Sequence, residues 1–223
     1  MRDFRPGRRF RAARVWSNQV LRQIAPHLGG DVLNVSGWRD EDKQGGYYRD
    51  YFTSATSYGI TNFGDGFRGE LGSHDLALDL EVNLPSEFHG LADVVFNHTT
   101  LEHVFDVFKA VRNLCLLSRD VVIVVVPAIQ EEHATSGFGD FWRFMSGGLR
   151  RLFETNGLTP VLLVSSPYRD CAVYHLLVAS RYPERWREAM LAASGSINDG
   201  KDLFRESLIE RIVYHLRHTE DDK

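Results

Sequence analysis

Val121-Val122-Ile123-Val124-Val125-Val126 is an unbroken run of β-branched apolar residues. Such side chains favour strands, and the run has the length of a strand rather than a helix. A strand with one wet face alternates apolar and polar residues. A run without alternation is covered on both faces, as the central strand of a parallel sheet is. Helices are therefore expected on both sides of it.

The flanking sequence supplies them. Leu91 to Asn97 is a similar run, followed by a helical stripe of Leu101, Val104, Phe105, Phe108, Val111 and Leu114. Upstream, Asp31 to Ser36 rises out of Gly29-Gly30, Tyr47 to Phe52 reads as a short helix, and strands are expected at Ser57 to Phe63 and Asp75 to Glu81. Downstream, a helix over 146–156 ends at Asn156-Gly157. Val161 to Ser165 and Ala172 to Ala179 are separated by so little chain that they read as an antiparallel pair. Before all of this, Trp16, Val20, Leu21 and Ile24 form the apolar stripe of a helix running from Arg9. After it come helices around 184–194 and 201–218. The expected fold is α/β: a Rossmann-like, mostly parallel sheet of about seven strands with a terminal antiparallel pair and helices on both faces. Residues 1–30 read as a basic arm and helix, 31–180 as the α/β domain, and 181–223 as helices packed on that domain. Ligands of such folds bind at the carboxyl ends of the strands, so the loops there are where chemistry is expected.

Composition narrows the function. The chain has 223 residues, 43% of them hydrophobic and 25% charged, with a net charge of −4. That excludes global disorder, and nucleic acid is not expected as a partner. Arg2, Arg5, Arg8, Arg9, Arg11 and Arg14 crowd the first fourteen positions against Asp3 alone, either a solvated helix start or an anion-binding arm. Cys115 and Cys171 both sit in apolar runs, which excludes a disulfide scaffold and a zinc ribbon. The most apolar stretch, Val121 to Ile129, is about half a membrane span and contains Pro127. The start of the chain has no apolar signal region, so a cytoplasmic protein is expected. G-x-S-x-G, the Walker loop and H-E-x-x-H are all absent. Glu102-His103 and Glu132-His133 are adjacent pairs whose members would point apart on a helix, so no metal is expected.

Leu91-Ala92-Asp93-Val94-Val95-Phe96-Asn97-His98-Thr99-Thr100-Leu101-Glu102-His103-Val104 resembles the fourth-strand signature of class I S-adenosylmethionine-dependent methyltransferases, of the type 11-like kind. Asp140-Phe141-Trp142-Arg143-Phe144, then Gly148-Leu149 and Asn156-Gly157-Leu158, is similar to a stretch found in members that modify small molecules and glycans. The resemblance covers roughly residues 31–180. It implies S-adenosylmethionine as cofactor and methyl transfer to oxygen or nitrogen of a small-molecule or sugar-containing acceptor. It also implies that Asn34, Gly37, Asp40, Asn62, Asp79, Leu80 and Asn97 lie along the cofactor. Histidine has a pKa near neutrality, so His98 and His133, after the fourth and fifth strands, are the candidate general bases. Trp142 and Arg143 are the candidate acceptor contacts, by stacking and by charge.

Two places depart from the family pattern. After the first strand the family has an acidic residue and then glycines alternating with small residues. Here the run is Asn34-Val35-Ser36-Gly37-Trp38-Arg39-Asp40, divergent in its glycines. After the second strand, where the family has an acid for the ribose hydroxyls, stand Asn62 and Phe63. These departures support an alternative: a catalytically inactive methyltransferase-like subunit that binds or assembles with a protein partner or a second copy of itself.

Overall fold

The computed structural model describes residues 6–64, 71–72, 75–135, 137–167 and 173–195, with the backbone alone for 6–11 and 173. The expected helix at 201–218, Cys171 and the side chains of the first five N-terminal arginines lie outside the described residues.

The strands are β1 (Gly30–Val35), β2 (Ala55–Asn62), β3 (Leu76–Ala77), β4 (Ala92–His98), β5 (Ser118–Ile129), β6 (Thr159–Ser165) and β7 (Val173–Ser180). The helices are α1 (Pro6–Ile24), α2 (Val107–Leu117), α3 (Ser146–Glu154) and α4 (Pro183–Ser194). One seven-stranded sheet runs in the order β3-β2-β1-β4-β5-β7-β6. The first five of these are parallel neighbours, and β7 inserts antiparallel between β5 and β6. The α/β architecture expected from the sequence is the one observed.

The alternation of β5 across the sheet explains its composition. Val122, Val124 and Val126 face a core shared with Val111 and Leu114 of α2 and with Leu149 and Phe153 of α3. Val121, Ile123 and Val125 face the opposite core, shared with Trp16, Val20 and Ile24 of α1 and Met190 of α4. Both sets are fully buried, so every position had to be apolar. Cys115 on α2 belongs to the first core, where burial pushes its thiol up to about 12.

Two expected elements differ. The third strand shrinks to two residues, so Asp79 and Glu81 stand in the turn beyond it. The expected helix from Leu101 is broken. Leu101–His103 form one 3-10 turn, and α2 begins only after Asp106, whose side chain accepts from the Lys109 N–H at 3.1 Å. A side chain capping a helix start ends the element there, so Phe105 falls outside α2 and Phe108 turns outward, both two-thirds exposed.

The amino ends of the central strands are stapled together. Arg119 at the start of β5 pairs with Asp93 of β4 at 2.7 Å and Asp31 of β1 at 2.6 Å, and donates to the Gly90 carbonyl at 2.9 Å. These groups are about 40% exposed, so solvent screens both pairs. Hydrogen bonding from Arg119 lowers the Asp93 carboxyl to about 2. A lowered carboxyl stabilises the fold above the unfolded value near ~4, and the contribution fades as pH falls toward 2. Arg119→Ala is expected to cost about 1 kcal/mol at pH 7 in urea unfolding. The gap from the parent protein should narrow as pH falls from about 4 to 2.

Candidate active site

The sheet order reverses between β1 and β4, which are parallel neighbours although β2 and β3 intervene in the chain. A crevice opens at the carboxyl ends there. It holds a cavity of about 350 Å³, within the ~300–1,000 Å³ typical of small-molecule sites.

The loop after β1 forms one wall. Ser36, Trp38 and Asp40 have φ of 57°, 50° and 62°, the left-handed region that glycine visits freely. Alternate residues thus keep a glycine-like backbone without being glycines, at a cost of about 1–2 kcal/mol each. Hydrogen bonds hold the strain in place. Ser36 N–H donates to Thr61 Oγ1 at 3.1 Å, and Gly37 N–H donates to the Thr61 carbonyl at 3.1 Å. Asn62 accepts from Trp38 N–H at 2.7 Å and donates to the Trp38 carbonyl at 3.1 Å and to Asp75 at 2.8 Å. Beneath the loop, fully buried Asp40 accepts from Asn34 Nδ2 at 2.8 Å, the Tyr58 hydroxyl at 2.7 Å, and Arg49 N and Nε at 3.0 Å each. A Cβ on Gly37 would lie 2.6 Å from Asn34 Nδ2, so the glycine lets the loop close over that amide.

Beyond β2 and β3 the wall continues through Phe63, Leu78, Asp79 and Leu80. One Asp79 oxygen accepts from the Glu81 N–H at 2.7 Å. Opposite lie His98 to Thr100, His103, Val104 and Phe138.

Arg14 of α1 also reaches the cavity. Its guanidinium donates to the Tyr48 hydroxyl at 3.0 Å, to Thr99 Oγ1 at 2.8 Å and to His98 Nδ1 at 3.2 Å. Among the described residues none of these partners is a carboxylate. Arginine only donates, so His98 Nδ1 is the acceptor and Nε2 carries the proton, 3.0 Å from Ser17 Oγ. Burial, with Arg14 beside it, holds this imidazole well below the usual histidine range. The Nδ1 lone pair thus faces a guanidinium, and both ring nitrogens have partners within the protein. Thr99 has φ 51°, an unusual value for a β-branched residue, and this strained turn aims its hydroxyl at Arg14.

A second cluster lies behind the His103 wall. Glu102 is 1% exposed, and burial pushes its carboxyl up to about 8. His103 Nδ1 lies 2.6 Å from the Gly139 carbonyl, and burial holds this imidazole below its ordinary range. The His133 ring stands edge-on to it at 5.0 Å. Asp140 would be raised by burial, but hydrogen bonds from Arg143 and the His133 N–H bring it to about 2.

The structure therefore divides the expected site residues. Asn34, Gly37, Asn62, Asp79, Leu80 and His98 line the cavity. Asp40 lies beneath the loop, and Asn97 is buried with its Nδ2 on the Val35 carbonyl at 2.9 Å. Neither Trp142 nor Arg143 lines the cavity. The Trp142 indole donates to the carbonyls of Val104 and Phe105 at 3.0 and 3.1 Å, and both Arg143 arms grip Asp140 at 2.6 Å. These side chains are spent on shaping the loop after β5. His133 touches the cavity wall through His103 rather than lining it. Sequence reading missed Arg14 and His103 as cavity residues. The first was hidden in a charge run, and the second in a helix that does not form. No helix among the described residues is long and apolar enough to cross a membrane.

No protein-family model matches the sequence, and no curated protein matches it either. Solved structures do resemble the fold. The 1,6-didemethyltoxoflavin N1-methyltransferase of Burkholderia thailandensis, with bound 1,6-didemethyltoxoflavin and S-adenosylhomocysteine, matches at TM-score 0.50 and 13% identity over 81% of this chain and 92% of that one. The magnesium protoporphyrin IX methyltransferase of Synechocystis, with bound S-adenosylmethionine, matches at TM-score 0.52 and 13% identity over 80% and 86%. The chain has the fold of class I S-adenosylmethionine-dependent methyltransferases.

Asp40→Gly tests what holds the loop. Glycine suits the φ of 62°, yet the variant is expected to lose about 3 kcal/mol or more in urea unfolding, because buried donors lose their charged partner. A stability equal to that of the parent would mean that backbone geometry alone carries the loop.

Proposed function

We propose that this protein is an S-adenosylmethionine-dependent methyltransferase acting on oxygen or nitrogen of a small-molecule or sugar-containing acceptor. The observation that carries the reading is the loop after β1. It keeps left-handed turns at Ser36, Trp38 and Asp40, and it opens on a cavity that the loops after β2, β3 and β4 share.

The residues present fit the cofactor at both ends. Leu78, Leu80 and Phe63 offer apolar surface for the adenine, and Asp79 keeps one carboxylate oxygen for an amine or hydroxyl donor. Asn62 is occupied with Trp38, so it shapes this region rather than holding the ribose. Arg14 is a cation whose hydrogen-bonding neighbours are uncharged, which suits the carboxylate of the methionine end. When bound, S-adenosylmethionine supplies a methyl group on a sulfonium, open to in-line displacement. The chain has to align the acceptor and ease its proton away. His98 is turned to Arg14, so His103, with Phe138 beside it in the wall and His133 behind it, is the part that serves the acceptor.

Loss of catalysis in a binding or assembly subunit is the second reading, favoured by the side chains of Ser36 and Trp38 where the family keeps glycine. Calorimetric titration separates the two. S-adenosylmethionine and S-adenosylhomocysteine are expected to bind with micromolar Kd. Arg14→Gln should weaken them about ten- to a hundredfold, the value of a charged hydrogen bond. Asp79→Ala should weaken them about tenfold. No binding up to about millimolar, roughly 4 kcal/mol, would overturn the enzyme reading.

A further inference from the structure

Glu102, His103 and His133 bring a carboxylate oxygen and two imidazole nitrogens within 4.8 Å of one another. Glu102 and His103 belong to the 3-10 turn Leu101–His103, and His133 reaches them because the segment after β5 lies against that turn, with Phe141 N–H on the Glu102 carbonyl at 2.7 Å.

The proton positions follow from the partners. His103 Nδ1 faces the Gly139 carbonyl at 2.6 Å, and a carbonyl only accepts. His133 Nδ1 faces Asp140 Oδ2 at 3.0 Å and the Glu131 carbonyl at 3.2 Å, again acceptors. Both Nδ1 atoms therefore carry hydrogen, and both Nε2 atoms keep their lone pairs. Glu102 Oε1 stands 3.8 Å from His103 Nε2, too far for a hydrogen bond. Glu102 Oε2 is buried and has no hydrogen-bond partner among the described residues. A carboxylate in that position is costly unless a cation meets it.

We propose that Glu102, His103 and His133 bind one divalent transition-metal ion at the wall of the cavity. Two imidazoles and a carboxylate suit Zn²⁺, Co²⁺ or Fe²⁺ better than Mg²⁺ or Ca²⁺, which prefer all-oxygen sites. Zinc–nitrogen bonds of about 2.0–2.1 Å place tetrahedral ligands roughly 3.3 Å apart. The three ligand atoms, now within 4.8 Å of one another, would have to draw in to that size. The supporting contacts match those of metal-bound histidines, whose second nitrogen donates to a carboxylate or carbonyl. Arg143 fixes that carboxylate, Asp140, by donating to both of its oxygens at 2.6 Å. Three protein ligands leave a position for an outside group. Of the three, His103 lines the cavity, and an acceptor hydroxyl or amine that reached the open position from there would ionise more readily on the metal. The role in catalysis rests on the methyltransferase reading, whereas ion binding does not.

The test uses chelator-treated protein, titrated with Zn²⁺ by calorimetry and with Co²⁺ by visible absorption, beside a titration with S-adenosylmethionine. One ion per chain with micromolar or tighter Kd is expected. His103→Ala, His133→Ala and Glu102→Gln should each weaken it at least tenfold. His133 is 35% exposed, so its variant should keep the fold and the S-adenosylmethionine affinity. Absence of a stoichiometric ion, or an affinity unchanged in the two histidine variants, would overturn the proposal and make Glu102 a buried neutral acid. Cofactor binding without metal binding would sink this inference alone. Metal binding without cofactor binding would sink only the methyltransferase reading.

Discussion

The buried carboxylate of Asp40 is the contact on which the site depends. It satisfies Asn34 from β1, Tyr58 from β2 and Arg49 from the turn that follows the loop. By doing so it ties the floor of the cavity to two central strands. The chain above it can then hold three left-handed residues that are not glycine. The strain is a few kilocalories per mole, which a charge with four hydrogen bonds offsets. The same backbone shape is thus reached by a different chemical route, with side chains at the cavity edge.

From that floor the cavity acquires two ends of different character. One is the Arg14 end, where a guanidinium is held by Tyr48, Thr99 and His98 without a carboxylate among them. The other is the Glu102 end, where a carboxyl and two imidazoles meet. The loop after β5 supports the latter through the Arg143–Asp140 pair and the Trp142 indole. A guanidinium at one end and a carboxyl with two imidazoles at the other therefore give this region opposite chemical characters.

The staple at the amino ends of the strands and the cavity at their carboxyl ends divide the work. Arg119 gathers β1, β4 and β5 where nothing has to bind. The carboxyl ends are left free to carry strained and under-partnered groups, such as Thr99 and Glu102.

The sequence by itself determined the α/β sheet, its antiparallel end and the strand ends at which to look. Those follow from local periodicity: β5 is apolar throughout because both its faces are buried, and no neighbour is needed to read that. It also marked Gly37, Asp79 and Leu80, which sit two or three residues past a strand end. Tertiary structure alone decided the rest. Arg14 and His98 are 84 residues apart, and their hydrogen bond sets which ring nitrogen of His98 carries the proton. Trp142 and Arg143 carry the right chemistry for an acceptor, but their polar atoms are consumed by carbonyls and by Asp140. Glu102, His103 and His133 converge because the segment after β5 lies against the turn that carries Glu102 and His103. Side-chain direction and hydrogen-bond occupancy are set by contacts between distant segments, and no pattern within a single segment encodes them.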